Sequence, residues 1–177
     1  MRKHGLFLFL FIVVFFPVYG QSGYPSPPKS DNMLFFLQRS HNRNTVIYEL
    51  NLLGNGKLIK DKPVKYYWIR YEEGGKRSDL SFIQNQAYGL KCKLTDEKKD
   101  NYTLHFNHFK NRDIFLLVNS AGKHRAYMYI NNELTELEKV FIKAEGYSNG
   151  KPLKIHFIEF QGISVESNKR TTERVFP

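Results

Sequence analysis

Cysteine and tryptophan are the scarcest residues among these 177, one of each, and Cys92 is the lone thiol. A single thiol closes no disulfide within one chain, so stability has to come from a packed core. Cys92 lies in Leu90-Lys91-Cys92-Lys93-Leu94 and shares a strand face with the two leucines. It reads as a small buried apolar residue. A nucleophilic thiol needs a nearby histidine and an exposed pocket, and the sequence offers neither beside it. Catalytic signatures are missing too. There is no Gly-x-Ser-x-Gly elbow, no His-Glu-x-x-His and no phosphate-binding glycine loop. His105-x-x-His108 fits neither one strand face nor a helical i,i+4 pair, and a structural zinc site prefers more cysteines. No catalytic, cofactor-binding or metal-binding residue is therefore assigned. Beyond residue 20 no apolar run approaches the roughly 20 residues needed to span a bilayer.

The N-terminus has the layout of a signal peptide. Arg2 and Lys3 precede an apolar run from Leu6 to Phe16, Pro17 ends it, and Val18-Tyr19-Gly20 suits a cleavage site. Cleavage after Gly20 leaves Gln21 first. A retained membrane anchor is the other reading, opposed by the short run and by Pro17. No cysteine sits at the cleavage site to carry a lipid. The expectation is an exported protein, periplasmic or extracellular, with no transmembrane segment after cleavage.

Net charge is +10, and the chain stays strongly basic without Arg2 and Lys3. Such a field attracts polyanions. For an exported chain these are anionic headgroups, envelope polysaccharide or acidic surfaces, with no nucleic acid expected. The scattered lysines (Lys57, Lys60, Lys62, Lys65, Lys91, Lys93, Lys98, Lys99) also read simply as solubilising.

Residues 21–31, with Pro25, Pro27 and Pro28, read as a flexible lead-in. Residues 32–164 read as one β domain, and 165–177 as a polar tail in which Val175-Phe176 suits a short edge strand. Period-2 segments recur at Met33–Arg39, Thr45–Leu53, Val64–Tyr71, Leu90–Thr95, Tyr102–Asn107, Ile114–Val118, Ala126–Ile130, Lys139–Ala144 and Leu153–Val165. Gly54-Asn55-Gly56, Ala121-Gly122 and Asn131-Asn132 supply turns. The fold class is mainly β: an antiparallel meander forming a β-barrel or β-sandwich, with one short helix. That helix falls in 78–89, with Ser78 or Asp79 as cap, Leu80, Ile83 and Ala87 as apolar stripe, and Gly89 at its end. From Leu153 onward the apolar parity switches between Ile155/Phe157 and Ile158/Phe160, which predicts a bulge or a fully buried stretch.

Two clusters suit ligand binding. Gln38-Arg39-Ser40-His41-Asn42-Arg43-Asn44 carries two guanidiniums able to grip a carboxylate or phosphate. It also reads as a polar hairpin loop. Trp68-Ile69-Arg70-Tyr71 carries residue types that anchor interfaces, and equally ordinary core residues. The candidate ligand-binding set is Arg39, Arg43, Trp68, Arg70 and Tyr71, joined by Gln84 and Tyr88 of the helix.

Three motifs in order, Gln38-Arg39-Ser40-x-Asn42-x-Asn44-x-Val46-x-Tyr48-Glu49, then Pro63-Val64 leading to Trp68-Ile69-Arg70-Tyr71, then Leu80-x-x-Ile83-Gln84-x-x-Ala87-Tyr88-Gly89, resemble a family of exported bacterial proteins catalogued only as a domain of unknown function. The resemblance spans roughly residues 33–164 and implies no activity. The Gly-x-Trp of lipocalins is missing, so the barrel expectation rests on strand count. The leading reading of function is a non-enzymatic module that binds an amphipathic or anionic envelope ligand. The alternatives are a structural or partner-binding envelope protein, and an exported hydrolase using His41 or His105 as base.

Overall fold

The structure is a computed structural model and describes residues 23–109, 111–148 and 151–177. The segment read as a signal peptide, residues 1–20, lies outside the described residues. Among those described, eleven strands and one α-helix follow in order: β1 (Met33–Arg39), β2 (Asn42–Leu50), β3 (Val64–Arg70), β4 (Lys76–Ser78), α1 (Phe82–Tyr88), β5 (Leu90–Asp96), β6 (Asn101–Phe106), β7 (Ile114–Val118), β8 (His124–Ile130), β9 (Glu133–Ser148), β10 (Lys151–Ser164) and β11 (Arg170–Val175). A helical turn, Tyr71–Glu73, separates β3 from β4.

One long strand organises the sheet. Along one edge β9 pairs with β10 from Thr135 to Ser148. Its other edge is shared: Glu133–Glu136 pair with β8, and Lys139–Ile142 pair with β1. Two wings leave that edge, β1-β2-β3-β4 and β8-β7-β6-β5. Each wing is an antiparallel meander, as the short turns predict. The β1–β9 pair is parallel, so the sheet as a whole is mixed. It curls into a half-barrel, and one core fills it with side chains from both wings.

Two bulges shape that curl. Gln161 pairs with Lys139 and Gly162 with Leu137, so Glu138 is an extra residue on β9. It falls where the edge passes from β8 to β1. Ile155 pairs with Ala144 and Phe157 with Lys143, so His156 is an extra residue on β10. This second bulge is the parity switch predicted from Leu153 onward, and it turns both Ile155 and Ile158 inward.

The core follows the period-2 pattern. Val46, Tyr48 and Leu50 of β2 are buried on one face, opposite Trp68, Tyr66 and Val64 of β3. On the second wing Tyr102, Leu104 and Phe106 alternate with half-exposed partners. Tyr48 stacks on Phe35 at 4.4 Å and meets Phe106 edge-on at 5.8 Å, joining the two wings. Burying each such side chain is worth about 2–3 kcal/mol.

Helix α1 crosses the open side, from β4 to β5. Its cap is Ser81: the Ser81 hydroxyl accepts from the Gln84 amide, and the Gln84 side chain accepts from the Ser81 amide. The cap was expected at Ser78 or Asp79; Ser78 instead pairs with Trp68 in β4. Gly89 ends the helix in extended backbone. A Cβ there would collide with the side chain and carbonyl of Asn85 and lie 2.8 Å from Asn107 Nδ2.

The lead-in, from Gly23, is laid against the outer face of β1 and β9. Pro27 is buried, the Pro25 carbonyl accepts from Gln38 Nε2, and the Tyr24 ring meets Phe141 edge-on. Residues 165–177, read as a polar tail with an edge strand near its end, carry β11 against β10.

Candidate functional site

An apolar cavity of about 400 Å³ opens inside the half-barrel. Leu37 of β1, Val140 and Ile142 of β9, and Ile155, Ile158 and Phe160 of β10 line one side. Ala87 and Tyr88 of α1, with Phe106 and Phe109, line the other, and His108 is its exposed polar residue. The bulge at His156 is what brings Ile155 and Ile158 to the same surface. Small-molecule sites are typically concavities of this size, largely apolar with a few placed polar groups.

Behind the Tyr88 wall lies a buried polar network. Arg39 is 3% exposed. Its Nη1 donates to the Tyr88 hydroxyl at 3.0 Å and its Nη2 to Asn42 Oδ1 at 3.2 Å. The guanidinium carbon sits 4.6 Å from the Trp68 ring centre and 5.2 Å from that of Tyr88. Trp68 Nε1 donates to Gln84 Oε1 at 3.0 Å, the same oxygen that closes the helix cap. Trp68 and Tyr88 meet edge-on at 5.8 Å. Tyr48 donates to the Tyr88 carbonyl at 2.7 Å, and burial pushes its phenol well above its usual pKa. A cation desolvated among aromatic faces gains about 2 kcal/mol from them.

Four of the seven candidate residues thus meet: Arg39, Trp68, Gln84 and Tyr88. The other three lie elsewhere, around the Tyr71–Glu73 turn. Arg43 is exposed, and its backbone amide donates to Glu72. Arg70 is committed to Ser78 Oγ at 2.7 Å and Glu73 Oε1 at 2.8 Å. Tyr71 reaches the Ser26 carbonyl of the lead-in. These two guanidiniums do not join Arg39 in one anion grip: Arg43 is exposed and Arg70 is bonded to Ser78 and Glu73, while Arg39 is buried against Trp68.

Residues 35–174 match the family described as Domain of unknown function (DUF4833). The chain belongs to that family. No curated protein and no solved structure is significantly similar to it. The DUF4833 match starts inside β1 and ends inside β11, so the buried network and every lining residue of the cavity except Pro177 fall within the shared domain.

Other reactive groups of this DUF4833 domain sit apart from the cavity. His105 Nδ1 lies 3.3 Å from Asp113 Oδ1, on the face of β6 opposite the core. Among the described residues no Ser, Thr or Cys is hydrogen-bonded to the His105 ring. His41 is exposed in the β1–β2 turn. Burial pushes the Cys92 thiol up to about 11 despite nearby Lys62. Among the described residues no group of three or more His, Cys, Asp or Glu is placed to hold a metal ion. The cavity residues of β9 and β10 were absent from the candidate set. Their one sequence signal was the parity switch between Ile155 and Ile158.

Proposed function

We propose that this domain is an exported, non-enzymatic binding module for an amphipathic envelope molecule, its apolar portion held in the cavity between β9–β10 and α1. The observation that carries this reading is a buried guanidinium, Arg39, one hydrogen bond behind an apolar cavity wall. A positive charge in a low-dielectric surround favours an anionic group on the ligand. The basic net charge strengthens the same preference at longer range. Export is supported by the signal-peptide layout of residues 1–20.

The sole tryptophan makes the test direct. Trp68 contacts Tyr88, which lines the cavity, so occupancy should change Trp68 emission. The measurement is a fluorescence titration with a medium-chain fatty acid, beside native mass spectrometry of protein purified gently from its own envelope. The expected result is a saturable change in emission and a retained extra mass. Both should be lost in Val140→Phe, which fills the cavity, with circular dichroism checking the fold. A bare mass together with silent emission would overturn the binding reading. A stoichiometric protein adduct would instead favour the partner-binding alternative, for which β5 and β11 offer unshared edges: each pairs with a single neighbour.

A further inference from the structure

The outward side of α1 carries a feature that the cavity does not use. Phe82 is 77% exposed, and Ile83, which follows it, is exposed as well. A contiguous exposed apolar patch, unlike a single exposed side chain, marks contact with a partner or a membrane. Phe82 is not on a loose loop. The Ser81 cap fixes the first turn of its helix, Gln84 is bonded to Trp68, and Asn85 accepts from Tyr66 at 2.7 Å. The scaffold therefore holds Phe82 in water.

Charge identifies the occupant. From Lys76 to Lys93 the chain has four cations, Lys76, Arg77, Lys91 and Lys93, and one carboxylate, Asp79. All five are exposed. Lys76, Lys91 and Lys93 make no ion pair among the described residues, and Arg77 lies over the Tyr67 ring with Glu49 4.0 Å away. Lysines on an edge strand also discourage strand-to-strand association. That role accounts for Lys91 and Lys93 but not for an aromatic ring displayed on the helix that joins two basic strands in the chain. An apolar wedge beside a cluster of cations matches the two signals that a peripheral protein needs on an anionic bilayer. The apolar part is too small for a standard protein–protein interface.

We propose that the α1 face docks on an anionic lipid surface, with Phe82 and Ile83 inserted at the headgroup level and Lys76, Arg77, Lys91 and Lys93 against the phosphates. This surface stands whether or not the cavity binds a ligand. Helix α1 serves both, presenting Ala87 and Tyr88 to the cavity and Phe82 and Ile83 to the outside.

The test is cosedimentation of the protein with vesicles of phosphatidylcholine, alone or mixed with phosphatidylglycerol. Sedimentation is expected with the mixed vesicles only, falling as salt is raised. Lys91→Gln/Lys93→Gln should weaken it about thirtyfold, Lys91→Glu/Lys93→Glu should weaken it further, and Phe82→Ser should weaken it with the charges intact. All these side chains are exposed, so unchanged melting temperatures will show that the fold is kept. Val140→Phe should sediment like the parent, and Phe82→Ser should keep any Trp68 response, which separates this surface from the cavity. Equal binding to both vesicle types, no binding to either, or binding indifferent to the charge reversal overturns the proposal.

Discussion

Gly162 stands opposite Leu137 in the β9–β10 ladder, next to the bulge at Glu138 where β9 changes neighbours from β8 to β1. The two strands run so close here that a Cβ on Gly162 would collide with the Glu136 carbonyl and lie 2.7 Å from Thr135 Cγ2. The obstacle is backbone, which cannot swing aside. Gly162→Ala should therefore cost about 3 kcal/mol, read from urea unfolding. A cost below about 1 kcal/mol, the ordinary range of surface substitutions, would mean the bend is not a fixed joint.

The Arg39–Tyr88 bond should behave as part of one network. Tyr88→Phe removes the acceptor and should cost about 1–2 kcal/mol, and Arg39→Met about 2–3 kcal/mol because it also strips a partner from Asn42. The double variant should cost clearly less than the two added together, by about 1 kcal/mol. A strictly additive cycle would show the bond contributes nothing of its own. Arg39→Lys should not rescue, since an ammonium cannot span Tyr88, Asn42 and the Trp68 face at once.

Arg112 and Glu173 clasp the β6–β7 loop to β11 with two hydrogen bonds, 2.9 and 2.6 Å, and the Asn131 amide donates to the same carboxylate. The Arg112 bonds hold the Glu173 carboxyl below its usual pKa. A carboxylate depressed in the folded state stabilises at neutral pH, and the contribution disappears as pH falls through its folded pKa. Glu173→Gln should melt lower than the parent at pH 7, by about 1 kcal/mol or less for a half-exposed pair. The gap should close in acid. A gap that widens on acidification would contradict this assignment.

Cys92 should be nearly inert. With its thiol pushed to about 11 by burial, the thiolate fraction at neutral pH is on the order of one in ten thousand. Alkylation should be slow in the folded protein and fast in denaturant. The raised pKa favours the folded state below the unfolded thiol's pKa, and that contribution is lost as pH rises through about 11. Rapid native labelling at pH 7 would show an accessible, activated thiol instead.

Local patterns were legible in the sequence and long-range pairings were not. Alternation placed Met33–Arg39 and Ile114–Val118 at their observed bounds, and the parity switch near Ile155 foretold the bulge at His156. Nothing local announces that Phe36 pairs in parallel with Lys139, because that choice is made by the meeting of two distant wings. The same blindness divided the candidate site. Arg39 and Arg43 look alike in a polar run, yet strand parity turns Arg39 onto Trp68 while Arg43 remains in solvent. Ser81 does not stand out as the cap in the sequence, because Ser78 and Asp79 precede it with the same chemistry. The lead-in prolines could not reveal that Gln38 would meet the Pro25 carbonyl.

The shared edge of β9 also sets an order of assembly. The parallel partner of β1 lies about a hundred residues downstream, so loop closure must wait for a long-range encounter. Until β9 arrives, the β1–β2 hairpin presents Phe35, Leu37 and an unsatisfied row of backbone amides to whatever is nearby. Capture of the first strand by the ninth therefore closes a long loop, and until it happens that apolar surface and that row of amides lie open to other chains.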